Sequence, residues 1–296
     1  MLETATKPLV LRPPLHIRVG QTFGDVLRHP LALIGVILIT LLVVMAVFAP
    51  VIAPFGFAEM DYKSVLKAPS TAHLFGTDEL GRDIFSRTIY GTWLSLSVGV
   101  GSVLLAIIIG VPLGVTAGYL GGIVDEILMR LIDSLLALPA LVLALTIAAV
   151  LGSGLINTII AIAIVTVPAF ARLVRGQVLS LKNNEYVLAA VSIGLPSWLV
   201  VVRHILPNAI TPVIVQASLS VGFAIITESS LSFIGLGVPP PAPSWGGMVQ
   251  VGFQYLEIAP WYVFAPATLI FLSVMAFNLM GEGLRAALDP TLKVST

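Results

Sequence analysis

Residues 29–58, 88–124, 134–171, 204–227 and 258–281 of this chain are stretches without Asp, Glu, Lys or Arg. A helix needs about 20 apolar residues to cross the hydrocarbon of a bilayer. Four of the stretches hold one span each. The stretch 134–171 carries Gly152-Ser153-Gly154 near its middle, a turn signal that divides it into two helices. The expectation is an all-α integral membrane protein with six transmembrane helices, at 31–53, 92–117, 127–151, 155–173, 209–228 and 260–281. Composition agrees. Hydrophobic residues make up 57% of the chain and charged residues 10%, against roughly 45–50% and about 25% in soluble domains. Such a chain cannot cover a soluble surface, and it is too apolar for disorder. Its 15 basic and 15 acidic residues leave no excess to meet nucleic-acid phosphates.

The first span is expected to remain in the mature protein. Signal-peptide cores run about 7–15 residues, whereas 31–49 holds thirteen Leu, Ile, Val and Phe. These contribute about −4 to −8 kcal/mol toward insertion. Six spans put both termini on one side, and basic residues choose the side. Lys7, Arg12, Arg18 and Arg28 precede the first span; Arg130 lies near the turn between spans two and three. Arg172, Arg175, Lys182 and Arg203 flank the connection between spans four and five, and Arg285 and Lys293 follow the last span. These are 11 of the 15 basic residues. The tails 1–30 and 285–296 and the connector 174–208 are therefore expected to be cytoplasmic, and the loops 54–91 and 229–259 extracytoplasmic.

Several kinds of chemistry lack their residues. None of the five lysines follows a glycine, so no phosphate-cradling GxxxxGK[ST] exists. The four histidines are scattered, cysteine is absent, and no nucleophile elbow occurs. This argues against a metal site and against a membrane enzyme. An ion-coupled secondary transporter, the alternative function, keeps ionisable residues in mid-membrane; here the candidates, Asp133 and Glu228, sit near span ends. The chain reads as a passage without its own motor.

The connector offers a structured knob. Asn184 can cap a helix whose first turn holds Glu185. Val187, Leu188, Ala190 and Val191 follow at near-helical spacing, and Gly194 ends the helix. Pro196 can open a second short helix, which leads to Pro207 at the foot of span five. An interfacial amphipathic connector fits the same pattern.

Glu185…Ala189-Ala190-Val-Ser-Ile-Gly194 followed by Ile205-x-Pro207 resembles the EAA loop of ABC importer permeases. FGTDELGRDIFSRTIYG (75–91), ESSLSFIGLGVPPPAPSWGGM (228–248) and FNLMGEGLRAALDPTL (277–292) resemble the dipeptide/oligopeptide/nickel importer subfamily, in particular its second permease subunit. The resemblance covers about 31–292, nearly the whole chain. Val191 departs from it, standing where the family often has a basic residue. The resemblance implies a type I importer permease fold over 92–284, with segment 181–207 coupling to a cytoplasmic ATPase. Glu185 would cap or pair at the helix start, Ala189 and Ala190 permit close approach, Gly194 make the bend, and Pro207 fix the return into span five. It also implies a homologous second permease, two ATPase subunits that bind the ATP and magnesium, and an extracytoplasmic substrate-binding protein. The expected location is the bacterial inner membrane, and the cargo short peptides or a related small solute.

The outer loops carry further candidates. On a helical projection of 80–89, Leu80, Ile84, Phe85, Thr88 and Ile89 fall on one side, and Glu79, Arg82, Asp83, Ser86 and Arg87 on the other. This predicts an amphipathic helix capped by Thr77 or Asp78, with an Asp83–Arg87 pair. It would lie on the outer leaflet or serve as a lid that meets a delivery protein. In the second loop, consecutive prolines around Pro240 predict a stiff extended chain, and Trp245 suits the membrane interface. That loop is a rigid cap, or part of a gate or landing surface. Asp133 is expected to join Glu126 and Arg130 in an ion cluster on one helix face. Glu228 is expected at the outer interface, or facing a pathway.

Overall fold

The computed structural model describes residues 29–288. Lys7, Arg12, Arg18, Arg28 and Lys293, five of the basic residues used to orient the chain, lie outside the described residues. Those described form helices: α1 (Pro30–Val47), α2 (Ala49–Ile52), α3 (Ile84–Leu120), α4 (Gly122–Leu136), α5 (Ala140–Leu151), α6 (Leu155–Leu181), α7 (Glu185–Ser192), α8 (Ser197–Val200), α9 (Leu206–Phe233), α10 (Trp245–Phe253) and α11 (Trp261–Leu288). A π turn, Val201–Ile205, joins α8 to α9 without a break, so one helical path runs over Ser197–Phe233. Five helices are long and apolar enough to cross a membrane: α1, α3, α6, the α8–α9 path and α11. The pair α4 and α5, bent by 90°, passes the same test together, as a broken sixth span or a re-entrant loop.

The bend corrects the expectation of a straight helix over 127–151. Pro139 lacks an N–H and disfavours helical backbone at Leu138, so α4 ends at Leu136 and α5 restarts at Ala140. Composition hid this, because proline between leucines does not interrupt an apolar run. Two other spans run beyond the expected 92–117 and 155–173. Span four continues through Arg172 and Arg175 to Leu181, and span two begins at Ile84 and ends at Leu120. At 37 residues, α3 is about 55 Å long, well beyond the roughly 30 Å of hydrocarbon.

The centre of the bundle is α3 against α6. Gly110, Gly114 and Gly118 recur every fourth residue and form one stripe on α3. A Cβ on Gly110 would stand 2.9 Å from Phe170 Cβ, and one on Gly118 2.9 Å from Val178 Cβ. At Gly114 it would run into the Ala171 carbonyl oxygen. Membrane helices lack a hydrophobic drive toward one another and gain from such close backbone approach. Phe170, Ala171, Val174 and Val178 fill the seam, while α9 packs Ile225 against Gly99 on α3. By contrast α1 is peripheral, burying only Ala32, Gly35 and Leu42.

Candidate functional site

The connector between α6 and α9 is built from one short helix and one glycine. The Asn184 carbonyl accepts from the Val187 and Leu188 N–H groups, while its side chain makes no capping bond. The first turn of α7 contains Glu185, exposed and favoured by the helix dipole. The helix ends in a Schellman motif: Gly194 N–H donates to Val191 O at 2.9 Å and Leu195 N–H to Ala190 O at 3.2 Å. Gly194 has φ +80°, a left-handed conformation that costs other residues roughly 1–2 kcal/mol. A Cβ there would meet nothing within 4 Å, so the requirement is backbone conformation, not space.

Ala189 and Ala190 part company. Ala190 faces inward with Val187 and packs in this chain's own core, whereas Ala189 is exposed. Only Ala189 is therefore available for close approach by another molecule, which corrects the pairing expected from the motif. Around it Leu188, Val191, Ile193 and Trp198 present an apolar surface, with Ile193 77% and Trp198 67% exposed. Nor is the second half of the connector a free helix. Pro196 is the N-cap of α8, not its first helical residue, and the path runs on through the π turn into span five. Pro207 lies inside that path, at the start of α9. It has no N–H to donate, and the wide π turn ends two residues before it. Asn208 Nδ2 donates to His204 O at 2.8 Å, satisfying a carbonyl of that turn.

Beside the connector, α4 is clamped to α6. Asp125 accepts both Arg175 Nε at 2.5 Å and a second guanidinium nitrogen at 2.6 Å. Asp133 accepts from Arg172 at 2.5 Å, leaving Arg130 to Glu126. The expected single-face cluster is thus two separate pairs, and Asp133 reaches across to a neighbouring helix. Lys182 Nζ donates to Gly118 O at 3.0 Å.

The opposite end of the bundle overturns the surface-helix expectation for 80–89. Residues 77–83 form tight turns, and Asp83, neither Thr77 nor Asp78, caps α3 by accepting from Ser86 N and Ser86 Oγ, both at 2.7 Å. The polar side faces inward: Asp78, Arg82, Asp83 and Arg87 are all buried. Asp78 accepts from Arg82 Nε at 2.6 Å and lies 3.4 Å from Arg87 Nε. Arg82 also reaches Glu79 at 2.6 Å, and Tyr262 on α11 donates to the other Glu79 oxygen at 2.7 Å. Arg87 donates to Phe57 O at 2.7 Å. Asp83 pairs with His73 at 3.0 Å, so the expected Asp83–Arg87 pair does not form. A helical projection assigns polar residues to solvent; here they satisfy one another across two helices and a loop.

Trp245 and Glu228 also move from interface to interior. Trp245 is 0% exposed, and its indole N–H donates to Thr88 O at 3.0 Å. Glu228, likewise 0% exposed, accepts from Ser232 Oγ at 2.7 Å and from Ser95 and Ser229 hydroxyls at 3.4 Å. Pro240 lies in the turn between α9 and α10 and lines a cavity of about 320 Å³ with Glu79, Arg82, Arg87, Ser232 and Tyr262. The structure thus brings Arg82, Pro240 and the serine partner of Glu228 to one cavity, and leaves Asp83 and Trp245 behind it as supports. Tyr262 was missed from sequence, and Asp78 was read only as a candidate cap. The near-balanced charges of 78–87, with Gly76 and Gly81 in left-handed turns, were the signal for a folded knot.

Similar proteins agree on what this assembly of helices is. Residues 110–294 match the family model of the binding-protein-dependent transport system inner membrane component, and residues 21–69 that of the N-terminal TM domain of oligopeptide transport permease C. A dipeptide transport system permease protein, DppC, of Alkalihalophilus pseudofirmus is 45% identical over 92% of this chain and 90% of its own length. The glutathione transport system permease protein GsiD of Pectobacterium atrosepticum is 43% identical over 98% of this chain and 96% of its own. Among solved structures, an inward-facing MetNI methionine ABC transporter chain superposes with a TM-score of 0.55, covering 70% of this chain and 98% of that one. At 17% identity it shows the fold alone. The chain belongs to the family of binding-protein-dependent transport system inner membrane components, as a multi-pass permease of the ABC importer type.

Proposed function

We propose that this permease imports short peptides or a related small solute, driven by two ATPase subunits that dock on the connector 181–207. The observation that carries this reading is the exposed apolar surface of Leu188, Ala189, Val191, Ile193 and Trp198, held on a rigid glycine-capped turn. Exposed apolar patches of this kind mark partner surfaces, and the chain has no lysine motif with which to hold nucleotide. ATP and its magnesium belong to the partner ATPases, and this chain binds no cofactor. A homologous second permease completes the pathway, and an extracytoplasmic binding protein delivers the cargo. Both termini and the connector are cytoplasmic, by the distribution of basic residues, and the loops 54–91 and 229–259 face outward.

The geometry suits transmission of a push. The α8–α9 path is one continuous helix from Ser197 to Phe233, so displacement of the knob is carried along span five toward Glu228 and Ser232. The clamps Asp125–Arg175 and Asp133–Arg172 tie α4 to α6, so the bent third span follows. ATP binding closes the ATPases and turns the pathway outward; hydrolysis resets it. The cavity at Arg82 and Pro240 is the candidate gate or contact for the binding protein. The relatives named for dipeptide and glutathione transport support peptide cargo.

The test is uptake of labelled di- and tripeptides into vesicles holding the whole transporter. Uptake is expected to require ATP and to stop when the partner ATPase is inactivated. Gly194→Asp is expected to abolish uptake while the protein remains in the membrane at wild-type amount. ATP-independent uptake, or wild-type uptake by Gly194→Asp, would contradict the reading.

A further inference from the structure

Helices α1 and α11 touch near one end and border a common gap nearer the other. Near the connector end they touch: a Cβ on Gly35 would stand 2.6 Å from the Met280 backbone nitrogen, and one on Gly283 would run into the Ala32 side chain. Toward the opposite end they border a gap of about 430 Å³, within the roughly 300–1,000 Å³ range of ligand pockets. Met45 of α1, Phe85 and Ile89 of α3, and Trp261, Ala265 and Leu269 of α11 line it. Positions 261, 265 and 269 repeat every fourth residue, so they form one strip along α11.

The lining decides the occupant. Thr88 and Thr268 are its only hydroxyls. Thr88 Oγ1 donates to Ile84 O and Thr268 Oγ1 to Phe264 O, both at 2.7 Å. The Trp261 indole N–H is buried and has no acceptor among the described residues. A buried water needs two to four polar partners, so this apolar gap does not suit water. It suits a long apolar body. The surroundings supply such a body: Val44 and Val47 on α1 and Phe264 and Phe271 on α11 are exposed apolar residues on spanning helices, which face lipid. Trp261 opens α11, at the depth where tryptophans meet headgroups.

We propose that this gap is a binding site for one acyl chain of a membrane phospholipid, which lies along Ala265 and Leu269. The lipid fills the space between α1 and the bundle, and holds the peripheral first span against α3.

The test uses the full-length chain in native membrane vesicles doped with a phosphatidylglycerol that carries a diazirine on one acyl chain. After illumination, mass spectrometry maps the adducts. Adducts are expected on Met45, Ile89 and Leu269 inside the gap, as well as on Phe271 outside. Ala265→Phe fills the gap from within and Thr268→Phe plugs its mouth. Each is expected to lose the inner adducts and to keep that on Phe271, which also shows that the variant is folded in the membrane. Adducts on Phe271 alone, or inner adducts unchanged in both filling variants, would overturn the proposal. Inner adducts displaced by an apolar tripeptide but not by excess unlabelled phospholipid would assign the gap to cargo and overturn it too.

Discussion

The two ends of this permease solve opposite problems. The connector end exposes apolar side chains on a short helix closed by one left-handed glycine, and its charged pairs are partly open to solvent. The opposite end holds buried Asp78 and part-buried Glu79 with two buried guanidiniums in a knot that joins the loop before α3, the start of α3 and α11. Buried ions are costly to leave unpaired, so the knot tolerates few changes. An exposed apolar surface contributes little to the stability of the chain that bears it, so the connector is open to change without unfolding. One end is held by its own bonds; the other is shaped for a partner.

Substitutions should separate the ends in order of stability lost. Asp78→Ala leaves Arg82 and Arg87 buried without their shared acceptor. It is expected to cost about 3–5 kcal/mol, read as a large fall in unfolding temperature in detergent and in membrane yield. Trp245→Phe leaves the Thr88 carbonyl without its indole donor and should cost about 1–3 kcal/mol by the same assay. Gly194→Asp carries only the left-handed backbone penalty, about 1–2 kcal/mol, yet should remove uptake. Asp133→Asn breaks a pair more than half exposed on both sides and should shift stability by less than about 1 kcal/mol. If Asp78→Ala proved as mild as Asp133→Asn, the contrast between the ends would fail.

The membrane spans were legible because lipid excludes charge, and charge gaps in 134–171 or 258–281 need no three-dimensional knowledge. What the gaps could not show is where a helix outlasts its uncharged core. Arg175 fell in the expected connector because it is charged, yet it sits on α6, where Asp125 meets it as Asp133 meets Arg172. The helical projection of 80–89 failed for a related reason: it assumes water on the polar face, while Asp78, Glu79 and Tyr262 supply that face with partners. Gly110, Gly114 and Gly118 were readable as a small-residue stripe, and pattern alone would have paired α3 with another helix, though not with α6. Gly194 was read correctly as a helix end because its signal is local, whereas the split between Ala189 and Ala190 depends on which way α7 is rolled against the bundle.

The absence of cysteine from the chain permits a clean measurement of the central proposal, that the connector is the docking surface for an ATPase. Single cysteines placed at Ala189 and Ile193, and as controls at Pro240 and the exposed Tyr62 on the opposite end, would be cross-linked in membranes that contain the whole transporter. Cross-links to the ATPase subunit are expected from positions 189 and 193, changing in yield when ATP is added, and none from positions 240 and 62. No ATPase cross-link from the connector, or equal cross-linking from both ends, would contradict it.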